Sequence, residues 1–186
     1  RLQYFRSGNL LVLGNGVRIR YKSRVKFGAK NRIGANVFLS GFGTMGIKLG
    51  NNVSIGDFSR LEVCQSMGNI GLGIEIGDNV GISSFAGIGG SGGVKIGADC
   101  IIGQYFSCHP ENHSFAINNG LFRKQEVTRQ GIRIGSNCWI GAKVTVLDGS
   151  IIGNNCVIAA NSVVRGRYPD NVLIGGVPSK ILRKLD

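Results

Sequence analysis

The chain has 186 residues, 42% of them hydrophobic and 17% charged, enough to bury one real core in a single globular domain. Its 22 Lys and Arg against 10 Asp and Glu give a formal charge of +12, which points to anionic ligands or surfaces. No run is long and apolar enough to span a membrane, no signal-peptide pattern opens the chain, and no recognised nucleic-acid module accompanies the charge. The first residue is Arg rather than Met, so a short preceding piece is expected.

Residues 1–26 keep no obvious period until Arg18, Arg20, Lys22, Arg24 and Lys26 alternate with Ile19, Tyr21, Ser23, Val25 and Phe27. Period two predicts one strand with a basic and a mostly apolar face. That segment is read as an irregular basic cap. It serves as a solvated edge that discourages pairing or as a patch for an anionic polymer or membrane surface.

From residue 27 to 166 the period is six. Apolar anchors fall at Phe27, Ile33 and Leu39, then Leu49, Ile55 and Leu61, then Ile76, Ile82 and Ile88, then Ile96, Ile102 and Cys108. Ile134, Ile140, Val146, Ile152, Ile158 and Val164 follow without a skip. Six fits neither a helix nor a free strand, so it marks a repeat, and hexapeptide repeats build parallel β-helices. Each unit is one face of a coil. The anchor and the residue four after it point inward, and three faces place residues eighteen apart about 4.8 Å from each other. The glycine excess is explained by positions such as Gly103, Gly135, Gly141 and Gly153, directly behind anchors. Cys100, Cys138 and Cys156 fill inward positions and read as core residues of a reducing compartment. The frame slips near 45–48, 67–75, 94–95 and 114–133, always after the third face, so the insertions are expected at one corner.

The two histidines, His109 and His113, lie together in Cys108-His109-Pro110-Glu111-Asn112-His113. His113 stands at the mouth of the long loop 114–131, where an outward imidazole suits a general base near neutral pH. His109, one residue past an inward anchor, is the second choice. Glu111 is a candidate to orient His113. Cys108 points into the core, where a thiol stays neutral. Beyond Val164 the segment 167–186 is expected to turn and end in a short helical tail, with Ser179 as N-cap, covering the open end of the solenoid.

Three stretches carry a resemblance: Asn112-His113-Ser114-Phe115, Ile134-Gly135-Ser136-Asn137-Cys138-Trp139-Ile140-Gly141-Ala142, and Gly175-Gly176-Val177-Pro178-Ser179-Lys180. With the hexads, they resemble the left-handed parallel β-helix acyltransferases, in the branch of galactoside, maltose and polysaccharide O-acetyltransferases. The resemblance covers roughly 27–186. It implies a cytoplasmic homotrimer with active sites between subunits, at work at the inner face of the membrane in surface-polysaccharide assembly. His113 would take a proton from a sugar hydroxyl attacking acetyl-CoA. A backbone N–H near Ala142 would meet the oxyanion. The cofactor would pass Trp139, Gly141, Ala142, Ala159 and Ala160, with Arg165, Lys180 and Arg183 on its phosphates. No metal is implied, since the zinc enzymes of this fold use three histidines and this chain has two. A nucleotide-sugar N-acetyltransferase and a non-catalytic β-helix scaffold remain as alternatives.

Overall fold

The computed structural model describes residues 3–7, 9–64, 68–117 and 120–186, with backbone alone up to residue 9. It is a left-handed β-helix of three parallel sheets. Face 1 runs through Asn9–Leu13, Asn31–Ile33, Ser54–Ile55, Gly81–Ile82, Ile101–Ile102, Trp139–Ile140, Val157–Ile158 and Val172–Gly176. Face 2 runs through Arg18–Arg20, Phe38–Ser40, Arg60–Glu62, Gly87–Gly89, Ser107–His109, Thr145–Leu147 and Val163–Val164. Face 3 runs through Val25–Phe27, Gly43–Leu49, Gly71–Ile76, Val94–Ile96, Ile132–Ile134, Ile151–Ile152 and Arg167–Tyr168.

The register confirms the hexad frame. On face 1, Ile33, Ile55, Ile82, Ile102, Ile140, Ile158 and Ile174 stack in one column. On face 2 the column is Leu39, Leu61, Ile88, Cys108, Val146 and Val164. These side chains are buried and form the core. Apolar burial of this kind, repeated coil after coil, is what stabilises a solenoid. All five cysteines are buried thiols. Every extra residue falls between a face-2 and a face-3 strand, at the 2–3 corner. Two of the insertions lengthen face-3 strands rather than forming loops, since Gly43–Leu49 and Gly71–Ile76 pair with each other.

The left-handed turn is not made at the glycine behind the anchor but two residues later. At the 3–1 corner the residues with positive φ are mostly Asn, which tolerates that conformation. Their side chains form ladders: Asn52 Nδ2 to Asn79 Oδ1 at 3.1 Å, and Asn137 to Asn155 to Asn171 at 2.9 Å each. At the 1–2 corner Phe58, Phe85 and Tyr105 take the same conformation, and their rings stack at 5.3 and 5.0 Å between centroids.

Two expectations at the ends are corrected. Residues 18–27 are not one strand, because Tyr21 turns the chain at φ 54 and a short 3-10 turn, Lys22–Arg24, separates Arg18–Arg20 from Val25–Phe27. With Asn9–Leu13 they make a complete coil, paired in parallel to the next on all three faces. The irregular cap thus shrinks to the strand Gln3–Ser7, antiparallel to Asn9–Leu13. The C-terminal tail is not helical. Ser179–Lys184 is a strand folded back on Val172–Gly176. A strand satisfies the open N–H and C=O edge of face 1, which a helix cannot do. Ser179, expected as a helix cap, instead bonds Tyr168 through its Oγ and carbonyl at 2.6 and 2.9 Å. No helix among the described residues is long and apolar enough to cross a membrane.

Candidate active site

The long insertion leaves face 2 at His109 and returns to face 3 at Ile132. It begins as a hairpin, Asn112–His113 antiparallel to Val127–Thr128, which aims His113 back over face 2. Between hairpin and face lies an open cleft of about 720 Å³. His109 and His113 both line it, with Arg60, Glu62, Arg123 and Arg129. Both imidazoles are exposed.

The insertion is pinned at two points. Arg129 donates to Glu111 Oε2 at 3.0 Å and to the carbonyls of Ile70 and Asn69 at 3.1 and 3.3 Å, tying the hairpin to the neighbouring insertion. Asp148, buried beneath the return segment, accepts from the backbone N–H groups of Gln130 and Gly131 at 2.8–3.1 Å. Glu111, expected as a candidate orienter of His113, is engaged by Arg129. The carboxylate ties the hairpin that carries His113. Burial pushes the Cys108 thiol up, so it stays protonated and inert beneath the cleft.

The residues expected to hold acetyl-CoA lie elsewhere on the same chain. Gly141, Ala142, Ala159 and Ala160 form the 1–2 corner, and Lys180, opposite Gly175, extends it by one strand. Trp139 stands on face 1, 61% exposed, next to Ile101 and Val157 in register. Arg183 continues that row beside Leu173. Arg165 is apart from them, following the face-2 strand Val163–Val164 toward the 2–3 corner.

The 1–2 corner fits an extended amide-bearing ligand. At the 3–1 corner, the N–H groups of Asn51, Ala98, Ser136 and Asn154 are each capped by a side-chain oxygen at 2.6–3.1 Å. The flanking groups of the 1–2 corner are bonded: Gly141 N donates to Ile158 O and Lys143 N to Gln104 O. The exposed N–H groups of Ala142 and Ala160 have no acceptor among the described residues. Two free amides one coil apart, behind side chains no larger than methyl, can meet the carbonyls of such a ligand.

Sequence reasoning did not single out Arg60, Glu62, Arg123 and Arg129. Arg60 and Glu62 flank the anchor Leu61 on the face that carries His109, and Arg60 holds Glu62 at 2.6 Å while lying over Phe38. Their place beside an anchor of that face was the available signal. Arg123 and Arg129 sit in the insertion, where the repeat carries no positional information.

A parallel β-helix of six-residue units with a histidine hairpin over one face and free amides along one corner defines a class of acyl-transferring solenoids. Comparisons with known proteins agree. The model for bacterial transferase hexapeptide (six repeats) matches residues 131–166. Escherichia coli WbbJ, which carries the name of a lipopolysaccharide biosynthesis O-acetyl transferase, is 36% identical over 173 residues, 89% of this chain and 74% of its own. The galactoside O-acetyltransferase of the same organism is 36% identical over 78 residues, 42% of this chain and 36% of that enzyme. Among solved structures, a hexapeptide-repeat acetyltransferase of Vibrio cholerae complexed with acetyl coenzyme A superposes with a TM-score of 0.64 at 29% identity, covering 74% of this chain and 70% of its own. AntD, an N-acyltransferase of Bacillus cereus in complex with dTDP and coenzyme A, shares the fold with a TM-score of 0.66 at 19% identity, over 92% and 85%. The chain belongs to the hexapeptide-repeat transferase family, and it is an acyltransferase.

Proposed function

We propose that this protein is an acetyl-CoA-dependent O-acetyltransferase acting on a sugar hydroxyl in the assembly of a surface polysaccharide. It works as a homotrimer, with His113 as general base. The observation that carries the reading is the division of the site. The histidine cleft lies over face 2 under the insertion from the 2–3 corner and the free amides lie at the 1–2 corner, a separation that supports a site completed by a neighbouring copy. Exposed apolar side chains support that assembly. Ile101 and Trp139 on face 1, and Phe115, Ile117, Leu121 and Phe122 on the insertion, are left uncovered in the single chain.

Acetyl-CoA supplies an activated acetyl group as a thioester. The neutral imidazole of His113 takes the hydroxyl proton as the sugar oxygen attacks the acetyl carbonyl carbon, and returns it to the departing sulfur. The Ala142 N–H of the facing copy donates to the oxygen on which charge develops. Trp139, Ala159 and Ala160 border the path of the pantetheine arm, and Lys180, Arg183 and Arg165 supply cations for phosphates. His109 lines the same cleft and is the second choice for the base.

The test is acetyl-CoA binding and acetyl transfer to a panel of sugar acceptors, for wild type, His113→Ala and His109→Ala. Equal acetyl-CoA binding by all three, with turnover lowered about 10²–10⁴-fold in His113→Ala alone, supports the assignment. Absence of acetyl-CoA binding by the wild type overturns it. Amino-sugar acceptors in the panel distinguish N- from O-transfer.

A further inference from the structure

Face 3 presents one central outward side chain per coil, and the register sets these in single file. Lys26 lies beside Lys48, Lys48 beside Glu75, Glu75 beside Lys95, and Lys95 beside Arg133. Arg133 then lies beside Ile151, and Ile151 beside Arg167. All five cations are exposed. Like charges directly opposed on neighbouring strands, about 4.8 Å apart, destabilise a sheet. Two such pairs stand in this row, Lys26 with Lys48 and Lys95 with Arg133. Glu75, 3.4 Å from Lys95, is the one carboxylate within it. The arginines of face 2 are placed differently: Arg60 holds Glu62, and Arg18, Arg20 and Arg60 lie over the Phe38 ring. The Lys48–Glu75–Lys95 stretch alternates in sign, but the two like-charge pairs gain nothing for folding.

A second observation marks room for a ligand there. A depression of about 350 Å³ lies along the row, lined by the cations Lys48, Lys95 and Arg133 and the single carboxylate Glu75, by the exposed Met45 and Leu72, and by glycine backbone. Its volume falls in the range of about 300–1,000 Å³ for small-molecule sites. Cations beside apolar side chains suit a ligand with acidic groups and C–H faces. The wall between this depression and the histidine cleft is a single segment. Gln130 and Gly131 line one side and Val127 and Arg129 the other, and Asp148 and Glu111 hold it in place.

We propose that face 3 is a binding surface for an acidic saccharide, a linear chain bearing carboxylate or phosphate groups. It lies along the cation row and passes over the wall at 127–131 to present a hydroxyl to His113. This rests on the sugar-acetylation reading and names the acceptor's class. A row one residue wide, with glycines at the following positions 28, 50, 77, 97, 135 and 153, matches a line of charge rather than the plane of a bilayer. Face 1, with its exposed Ile101 and Trp139, is the face suited to burial between copies, which leaves face 3 open.

The experiment compares the wild-type chain with the double variant Lys48→Glu/Arg133→Glu. Its probes are oligogalacturonate, neutral maltoheptaose, phosphatidylglycerol vesicles and a single-stranded oligonucleotide, each at low and at physiological salt. Acetyl-CoA affinity is measured on the same samples. The wild type is expected to bind oligogalacturonate over maltoheptaose, more weakly as salt rises. The double variant loses about tenfold or more of that affinity, while its circular dichroism and acetyl-CoA binding stay unchanged. If the double variant does not fold, Arg133→Gln is expected to show a smaller loss in the same direction. Binding of maltoheptaose as tight as oligogalacturonate, an oligogalacturonate affinity unaltered by the substitutions, or tighter binding of vesicles or oligonucleotide would overturn the proposal. Failure of the wild type to bind acetyl-CoA refutes the acetyltransferase reading instead, and is read separately.

Discussion

Gly141 and Gly87 both lie in the solenoid wall, yet replacing each by alanine should move stability in opposite directions. A Cβ built on Gly141 would stand 2.6 Å from the Ala160 nitrogen, 2.8 Å from its Cα and 3.0 Å from the Ile158 carbonyl oxygen. All three atoms belong to the backbone of the next coil, so no side chain can move aside. Restoring ordinary contact requires a backbone shift of about 0.8 Å, and overpacking of this kind costs about 1–3 kcal/mol. The shift also strains the bond from Gly141 N to Ile158 O, now 2.8 Å. At about 2–4 °C per kcal/mol for a domain of this size, Gly141→Ala should melt roughly 2–12 °C below the wild type. A Cβ on Gly87 meets nothing within 4 Å. Gly87→Ala should gain about 0.4–1 kcal/mol, because alanine has less freedom to lose on folding. The assay is thermal and urea unfolding at matched protein concentration, since assembly shifts the midpoint by mass action. If Gly141→Ala melts with the wild type, or both variants fall together, the tight stacking of coils is not what requires glycine there.

Other outcomes follow from the site. Asp148→Ala leaves the N–H groups of Gln130 and Gly131 without their acceptor; it should cost about 1–3 kcal/mol, read by chemical denaturation, and expose the segment 127–131 to proteolysis. Arg129→Ala unties the insertion from Glu111 and from residues 69–70. It should lower acetyl transfer at least about tenfold while moving the melting point by only a few degrees, because the bonds it loses hold a loop rather than the core. Burial raises the Cys108 thiol, so native protein should react with Ellman's reagent at this position only on unfolding. By the same linkage, an unfolded thiol ionises near its usual pKa of about 8.5 while the folded one holds its proton. Stability is therefore expected to decline as the pH rises above that value, measured by urea midpoints from neutral to alkaline buffer.

How much was legible in the chain follows from where side chains repeat. The period of six dictated the solenoid, because an inward anchor every sixth residue is consistent with three-faced coils and with no other regular structure. The same arithmetic placed the insertions at one corner, and the two histidines marked the cleft. The basic alternation of 18–27 misled, because a period of two looks the same within one strand as across two short strands joined by a corner at Tyr21. The tail misled for a related reason: Ser179–Lys184 has an apolar pattern that a helix or a strand can use, and only the unpaired edge of Val172–Gly176 decides between them. Local sequence carries no trace of that edge.

The chemistry divides along the same line. Sequence alone determined that the anchors are buried, that His109 and His113 stand at the mouth of the longest insertion, and that small residues line one corner. Only the tertiary structure decided that Glu111 is engaged by Arg129 and that the amides of Ala142 and Ala160 are left free. It also decided that Lys26, Lys48, Lys95, Arg133 and Arg167, scattered over 142 residues of chain, stand in one row. The physical reason is the unequal length of the insertions. The coils restore the register after unequal numbers of residues, so neighbours on a face are set by backbone hydrogen bonds between coils and not by any fixed spacing along the chain.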